Sequence, residues 1–323
     1  MEELKLYNPT GKEIKNVDIA ITIYTILLYL LYKPLDEILR TAFICGIDVP
    51  EQLRLNLPNS ILYNQKQIDN NGSKFSFFIN YQKKRRCLVG KFPFLATANI
   101  YGQDHCGDFY PFIRRYGMCV IEDGVGLYHP LPPEYHSRIG HFLFRLFGIV
   151  TNPWGRGTHC NSILYTGIMP LPNDLKKKKH IKINPHEAWN LASEEKKLFI
   201  LKVFGVSKND FDIFNERDIW VLTQPLEELG YSTEEKIKLF KDAIMQYDYK
   251  RVVFKNHPRD HTDYSKILQG TACLKKPIPW ELINFVYDDF KIAITYNSTA
   301  IFNMKAHVEK VILDSKYQNI ETK

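Results

Sequence analysis

The sequence has no apolar run long enough to cross a bilayer. The run Ile19–Tyr32 reaches 14 residues and is interrupted by Thr22, Tyr24 and Thr25, whereas a span needs about 20. A buried strand and helix fit it better. Cysteine is sparse. Cys45, Cys87, Cys106, Cys119, Cys160 and Cys273 are scattered, with no CxxC pair and no zinc-ligand spacing. That argues against a disulfide framework or zinc module and fits reduced thiols in a cytoplasmic protein. Met1–Asn16 mixes acids with lysines, and no small-residue cleavage site follows the next apolar run, so no secretory signal is expected. Walker, GxGxxG and GxSxG patterns are missing, and with them the commonest nucleotide-loop and hydrolase signatures. There is no internal repeat, and the lysine run Lys176–Lys179 is the only low-complexity tract.

What is present is a 323-residue chain, 45% hydrophobic and 13% aromatic. That length suggests two domains with a sizeable core. The net charge of +7 points to anionic partners: a nucleotide, a phosphate, nucleic acid or a membrane surface. The basic residues are dispersed, and no RNP, zinc-finger or helix-turn-helix pattern accompanies them, which argues against nucleic acid.

Periodicity predicts strands at Val17–Ile23, Thr41–Ile47, Met118–Ile121, Ser162–Gly167, Ile219–Leu222, Arg251–Lys255, Phe290–Thr295 and Val311–Leu313. Helices are expected at Tyr24–Tyr32, Phe112–Arg115, Arg138–Val150, Ala192–Phe204, Glu281–Val286 and near Ile301–Ala306. Another should open at Ser232, where Ser232 and Glu235 form a capping-box pair. Phe94–Ile100 reads as helical or extended core, Pro50–Gln65 as loop and turns, and Leu171–Asn184 as a linker. The expected domains are therefore 1–185 and 186–323. Strands alternating with helices imply α/β domains with parallel sheets, whose ligands sit at the carboxyl ends of strands.

Several polar turns fall at such ends. Glu122-Asp123-Gly124 follows Met118–Ile121, and the two acids point opposite ways on an extended chain. One carboxylate in a cleft becomes a usable base when burial raises its pKa; the plainer reading is an acidic turn. His257-Pro258 follows a strand between Lys255 and Arg259. Its imidazole suits stabilisation of a phosphate, or is a surface turn histidine. Ser298-Thr299 is an anion site or a plain N-cap. Thr223-Gln224-Pro225 is another strand-end loop, and Glu227 and Glu228 behind it are rival bases. Pro277-Ile278-Pro279-Trp280-Glu281 could wall a nucleotide base or simply turn into a helix. The set His257, Asp260, His261 and Asp263 matches no metal spacing.

Taken in order, Glu122-Asp123-Gly124, Lys255-Asn256-His257-Pro258, Ser298-Thr299, Gln224-Pro225 and the loop Gly102-Gln103-Asp104-His105 resemble bacterial sialyltransferases of glycosyltransferase family 52. The resemblance runs from about Tyr101 to Ala306. Asn256 departs from the basic or aliphatic residue usual before His-Pro. The resemblance implies a GT-B architecture, two Rossmann-like domains facing across a cleft. It implies an inverting, metal-independent reaction with no cofactor and CMP-sialic acid as donor. The acceptor would be a terminal sugar, galactose foremost, of a capsule or lipooligosaccharide. Glu122 or Asp123 would act as base, with Glu122 favoured. His257 would meet the leaving phosphate. Gln224, Pro258, Trp280, Glu281, Ser298 and Thr299 would bind CMP, and Gln103, Asp104 and His105 would lie on the acceptor side. Peripheral attachment to an anionic membrane through Lys176–Lys179 and Lys83–Arg86 is a further expectation. The oligomeric state, a homodimer included, stays open. The alternatives are a transferase of this architecture with another nucleotide-sugar donor, and a non-catalytic capsule-assembly protein.

Overall fold

The computed structural model of the chain describes residues 5–46, 48–62, 89–105, 117–130, 152–207, 210, 214, 216–287, 289–305 and 307–314. The expected helices at 112–115 and 138–150 and the basic run Lys83–Arg86 lie outside these residues. The chain divides into two compact units, 1–205 and 206–323.

The first unit is built on an eight-stranded sheet: β1 (Leu6–Tyr7), β2 (Asn16–Ala20), β3 (Thr41–Cys45), β4 (Ser60–Leu62), β5 (Asn99–Gly102), β6 (Met118–Ile121), β7 (Cys160–Tyr165) and β8 (Lys179–Lys182). The spatial order is β1-β4-β3-β2-β5-β6-β7-β8. Among the described strands of this sheet, only β1 runs antiparallel to its neighbour. Every residue of β2, β3 and β6 is buried, as expected of strands covered on both faces. Val17, Ile19, Ile44, Ile100, Val120 and Ile163 form the core of one face. The strand expected at 17–23 stops at Ala20 because Thr22 caps helix α1 (Ile23–Tyr32), its hydroxyl accepting from Thr25 N. Residues Thr25–Leu31 of α1 are all buried, so this apolar run is a core helix.

Pro50–Gln65, expected as loop, contains a helix, Glu51–Asn56, and β4. The expected linker 171–184 contains β8, in parallel register with β7 from Ser162↔Lys179 to Tyr165↔Lys182. An edge strand can be lysine-rich because one side faces solvent, and composition alone reads such a segment as a poor structure former. The first unit also extends past 185. It keeps the helices Pro185–Leu191, with Asn184 as cap, and Glu194–Val203, with Ser193 as cap. Asn56 Nδ2 donates to the carbonyls of Lys202 and Val203, and Lys196 Nζ to that of Leu31. The division therefore comes at 205. In the second helix Ile200 and Val203 are buried, whereas Leu198 is exposed.

The second unit is a five-stranded, all-parallel sheet: β9 (Ile219–Leu222), β10 (Val252–Lys255), β11 (Ala272–Leu274), β12 (Ile292–Thr295) and β13 (Glu309–Ile312), in the order β11-β10-β9-β12-β13. Strand β11 was not legible in the sequence. The helix Thr233–Ile244 opens with the expected capping box of Ser232 and Glu235. Trp280–Val286 is helical. Instead of a helix over 301–306, a single 3-10 turn occupies Thr299–Asn303. In each sheet the strand order reverses once, between β2 and β5 and between β9 and β12. These are the topological switch points where ligands of parallel sheets bind.

Candidate active site

In the first unit the polar turns meet beside the β2/β5 switch point. Gly102 ends β5 with φ +108, and a Cβ there would overlap the Ile19 carbonyl; only glycine lets the two strand ends approach so closely. The next residue, Gln103, is buried. Its Oε1 accepts from Ile21 N at 2.8 Å, and its Nε2 donates to Asp123 Oδ2. The Thr22 hydroxyl donates to Asp123 Oδ1 at 3.1 Å. Asp123 stays half-buried. Burial raises its carboxyl above the usual carboxylate range, with His105 and the Thr22 and Gln103 hydrogen bonds acting the other way.

Glu122 is 0% exposed. It accepts from Tyr128 OH at 2.7 Å, Thr166 N at 2.6 Å, the Thr166 hydroxyl at 2.8 Å and Tyr24 OH at 3.2 Å. Burial pushes its carboxyl up while these bonds draw it down. Both oxygens are enclosed by donors from α1, the turn after β6 and the end of β7, which makes Glu122 a structural anchor. The adjacent acids differ as strand alternation requires.

Asp104 is buried as well, and it acts as a loop clamp. Its oxygens accept from Trp154 N at 2.6 Å, Gly155 N at 2.9 Å and His159 Nε2 at 2.9 Å. The acceptor-side group of the sequence reading thus divides into a positioning residue (Gln103), a clamp (Asp104) and a half-buried imidazole (His105).

In the second unit, Thr223-Gln224-Pro225 follows β9, Asn256-His257-Pro258 follows β10 and Tyr296-Asn297-Ser298 follows β12, all at carboxyl ends. His257 N donates to the Thr223 hydroxyl at 3.1 Å, and His257 Nδ1 accepts from Arg259 N at 3.2 Å. With Nδ1 an acceptor, the neutral ring carries its proton on Nε2. Burial, with Lys255 and Arg259 adding to it, lowers the His257 pKa to about 4, so the ring is neutral at neutral pH. The loop is held from below. Asn256 Nδ2 donates to the carbonyls of Asp260 and Thr262, which explains the residue that departs from the usual pattern. Asp260 forms a buried ion pair with Lys236 at 2.8 Å and accepts from Tyr264 OH at 3.0 Å.

The remaining sequence candidates fare unequally. Gln224, Pro258 and Ser298 are half-buried at the strand ends, and Ser298 makes no side-chain capping bond. The side chain of Thr299 lies outside the described set. Glu281 is buried near Lys255, whose pKa burial lowers to about 8 against the pull of Glu281. Trp280 is 3% exposed, edge-on to Trp220 with ring centres 5.5 Å apart and 5.2 Å from Phe290. It is core, and it walls no base. The rival bases are both ion-paired, Glu227 to Lys236 at 2.6 Å and Glu228 to Arg259 at 2.7 Å. Among the described residues, no three His, Cys, Asp or Glu side chains group to hold a metal ion. Sequence reasoning placed Thr223 in a strand-end loop without a role, and it missed Thr22, Tyr24, Tyr128 and Thr166. Of these only Thr22 carried a local signal, as a threonine between a strand and an apolar helix.

Residues 66–316 match the model of glycosyltransferase family 52. An uncharacterized protein of Haemophilus influenzae is 31% identical over 210 residues, 65% of this chain and 66% of that protein's own length. The GT-B domain of a sialyltransferase from Photobacterium damselae superposes with a TM-score of 0.51 at 13% identity, over 90% of this chain and 89% of that one. At that identity the likeness establishes the fold alone. A UDP-GlcNAc 2-epimerase from Neisseria meningitidis matches with a TM-score of 0.47 at 14% identity, over 90% and 79% of the two chains. No helix among the described residues is long and apolar enough to cross a membrane.

Proposed function

From the premise that this chain belongs to glycosyltransferase family 52, we propose that it moves sialic acid from CMP-sialic acid to a terminal galactose of a bacterial surface glycan, with inversion and without a metal. The observation that carries the reading is the environment of Asp123. A half-buried carboxylate at a sheet switch point, oriented by Thr22 and Gln103 and raised in pKa by burial, is equipped to take a proton from an acceptor hydroxyl. The enclosure of Glu122 by four donor groups supports assigning the base to Asp123, reversing the preference drawn from sequence.

In the proposed step Asp123 removes the hydroxyl proton, and the freed oxygen attacks the anomeric carbon of the donor. The bond from that carbon to the phosphate oxygen breaks, and CMP leaves with the electron pair. His257 holds the phosphate through its Nε2–H as charge develops, with Ser298 and Thr299 proposed as further donors to it. A single phosphate carries fewer charges than a diphosphate, so protein donors can suffice. Gln224, Pro258 and Glu281 complete the proposed donor site.

The test is a panel of nucleotide sugars offered with a galactose-terminated acceptor, read as release of free nucleotide. CMP release from CMP-sialic acid is expected. Asp123→Asn should lose about 10²–10⁴-fold in transfer with an unchanged melting temperature, and His257→Ala roughly 10²-fold. Glu122→Gln should instead lower the melting temperature and keep transfer per folded molecule within about tenfold. Normal transfer by Asp123→Asn, or UDP release in place of CMP, would overturn the assignment.

A further inference from the structure

Trp154 stands out among the four tryptophans. Trp189, Trp220 and Trp280 are 7%, 0% and 3% exposed, whereas Trp154 is half-buried. Its backbone is left-handed, with φ 55, a conformation that a bulky side chain rarely adopts and that persists only when the surroundings impose it. Here they do. Asp104, 1% exposed, binds the amides of Trp154 and Gly155 with its two oxygens. Arg156 ties the loop to the segment after β6. Its Nη1 donates to the Trp154 carbonyl at 3.2 Å, and its Nη2 to the carbonyls of Leu127 at 3.3 Å and His129 at 2.7 Å.

The constraint fixes where the indole lies. A Cβ on Gly126 would sit 3.1 Å from the indole nitrogen, and Gly126 belongs to the 3-10 turn that directly follows Asp123. The His105 ring is 6.2 Å from the Trp154 ring, tilted by 38°, and His105 acts electrostatically on the Asp123 carboxylate. A rigid, partly open aromatic ring therefore borders the group assigned as base. The face of an aromatic ring is electron-rich. A pyranose presents one face of C–H bonds, which suits that surface, and its rim of hydroxyls can reach neighbouring polar groups.

We propose that the Trp154 indole, held by Asp104 and Arg156, is the platform on which the acceptor hexopyranose stacks to bring its hydroxyl to Asp123. The proposal rests on the transferase reading above and names how that site selects its acceptor. Two measurements on the full chain test it. In the first, tryptophan fluorescence is titrated with methyl β-galactoside and with lactose, with and without CMP. A saturable change is expected in the native chain and should vanish in Trp154→Ala. In the second, Trp154→Ala should raise the acceptor KM about tenfold or more and leave the donor KM, acceptor-free CMP release and melting temperature unchanged. Trp154→Phe should fall between. No saturable change in the native chain, or a native acceptor KM in Trp154→Ala, overturns the platform. If the galactosides saturate but no nucleotide sugar is turned over, the sialyltransferase reading fails and the platform stands.

Discussion

Thr223 shows how much one hydroxyl can organise. Its oxygen accepts from His257 N at 3.1 Å and so holds the start of the His-Pro loop against the end of β9. Thr223→Val keeps the shape and removes this bond. It should cut kcat about tenfold, on the scale of one lost hydrogen bond, and hardly change acceptor KM. Thr223→Ser should restore the rate, and steady-state kinetics of the pair read the result. Asp18 makes a different residue-scale argument. It is 0% exposed, and neither oxygen has a hydrogen-bond partner among the described residues. Burial raises its pKa from 3.8 to about 8. Between those values the unfolded chain has lost a proton that the fold retains, so stability falls as pH rises through that window. Asp18→Asn removes the slope. Its advantage in melting temperature over the native chain should be larger at pH 8 than at pH 5, and an equal difference at both would refute the burial argument.

At the scale of elements, the strand-end turns were legible because apolar runs such as Ile219–Leu222 and Met118–Ile121 end abruptly in polar residues. The roles within them were not. Glu122 meets Thr166 and Tyr24 only through tertiary pairing, β7 against β6 and α1 against the sheet, and no local pattern encodes a partner 44 or 98 positions away. Strand β8 was hidden by its lysines. Trp280 was misread because a tryptophan after Pro279 looks the same whether its ring turns into the core or out of it. Gly102 offers the sharpest element-scale test. Its φ of +108 and the Ile19 carbonyl leave no room for a methyl group, and β2 and β5 must meet there to place Gln103. Gly102→Ala should destabilise the first unit by about 3 kcal/mol or more, in the range of severe backbone and packing clashes, read by chemical denaturation. A variant of native stability would mean that the strand ends move apart freely.

For the molecule as a whole, the two units bring different chemistry. The first carries the anchored carboxylates and the second the neutral imidazole with its strand-end hydroxyls. CMP should therefore slow amide exchange in residues 206–323, around 223–225, 256–262 and 296–299 foremost. Protection confined to 1–205 would reverse the donor assignment. The sheet of the first unit also has a consequence for how the protein behaves in crowded solution. Its outermost strands are the two-residue β1 and the lysine-bearing β8, where Lys179, His180 and Lys182 are exposed. A border too short to template a neighbour at one side, and one that repels its own copy at the other, discourage strand addition between molecules. The lysines of β8 are thus expected to oppose fibrous self-assembly, and changing Lys179 and Lys182 to valine should raise the aggregation rate.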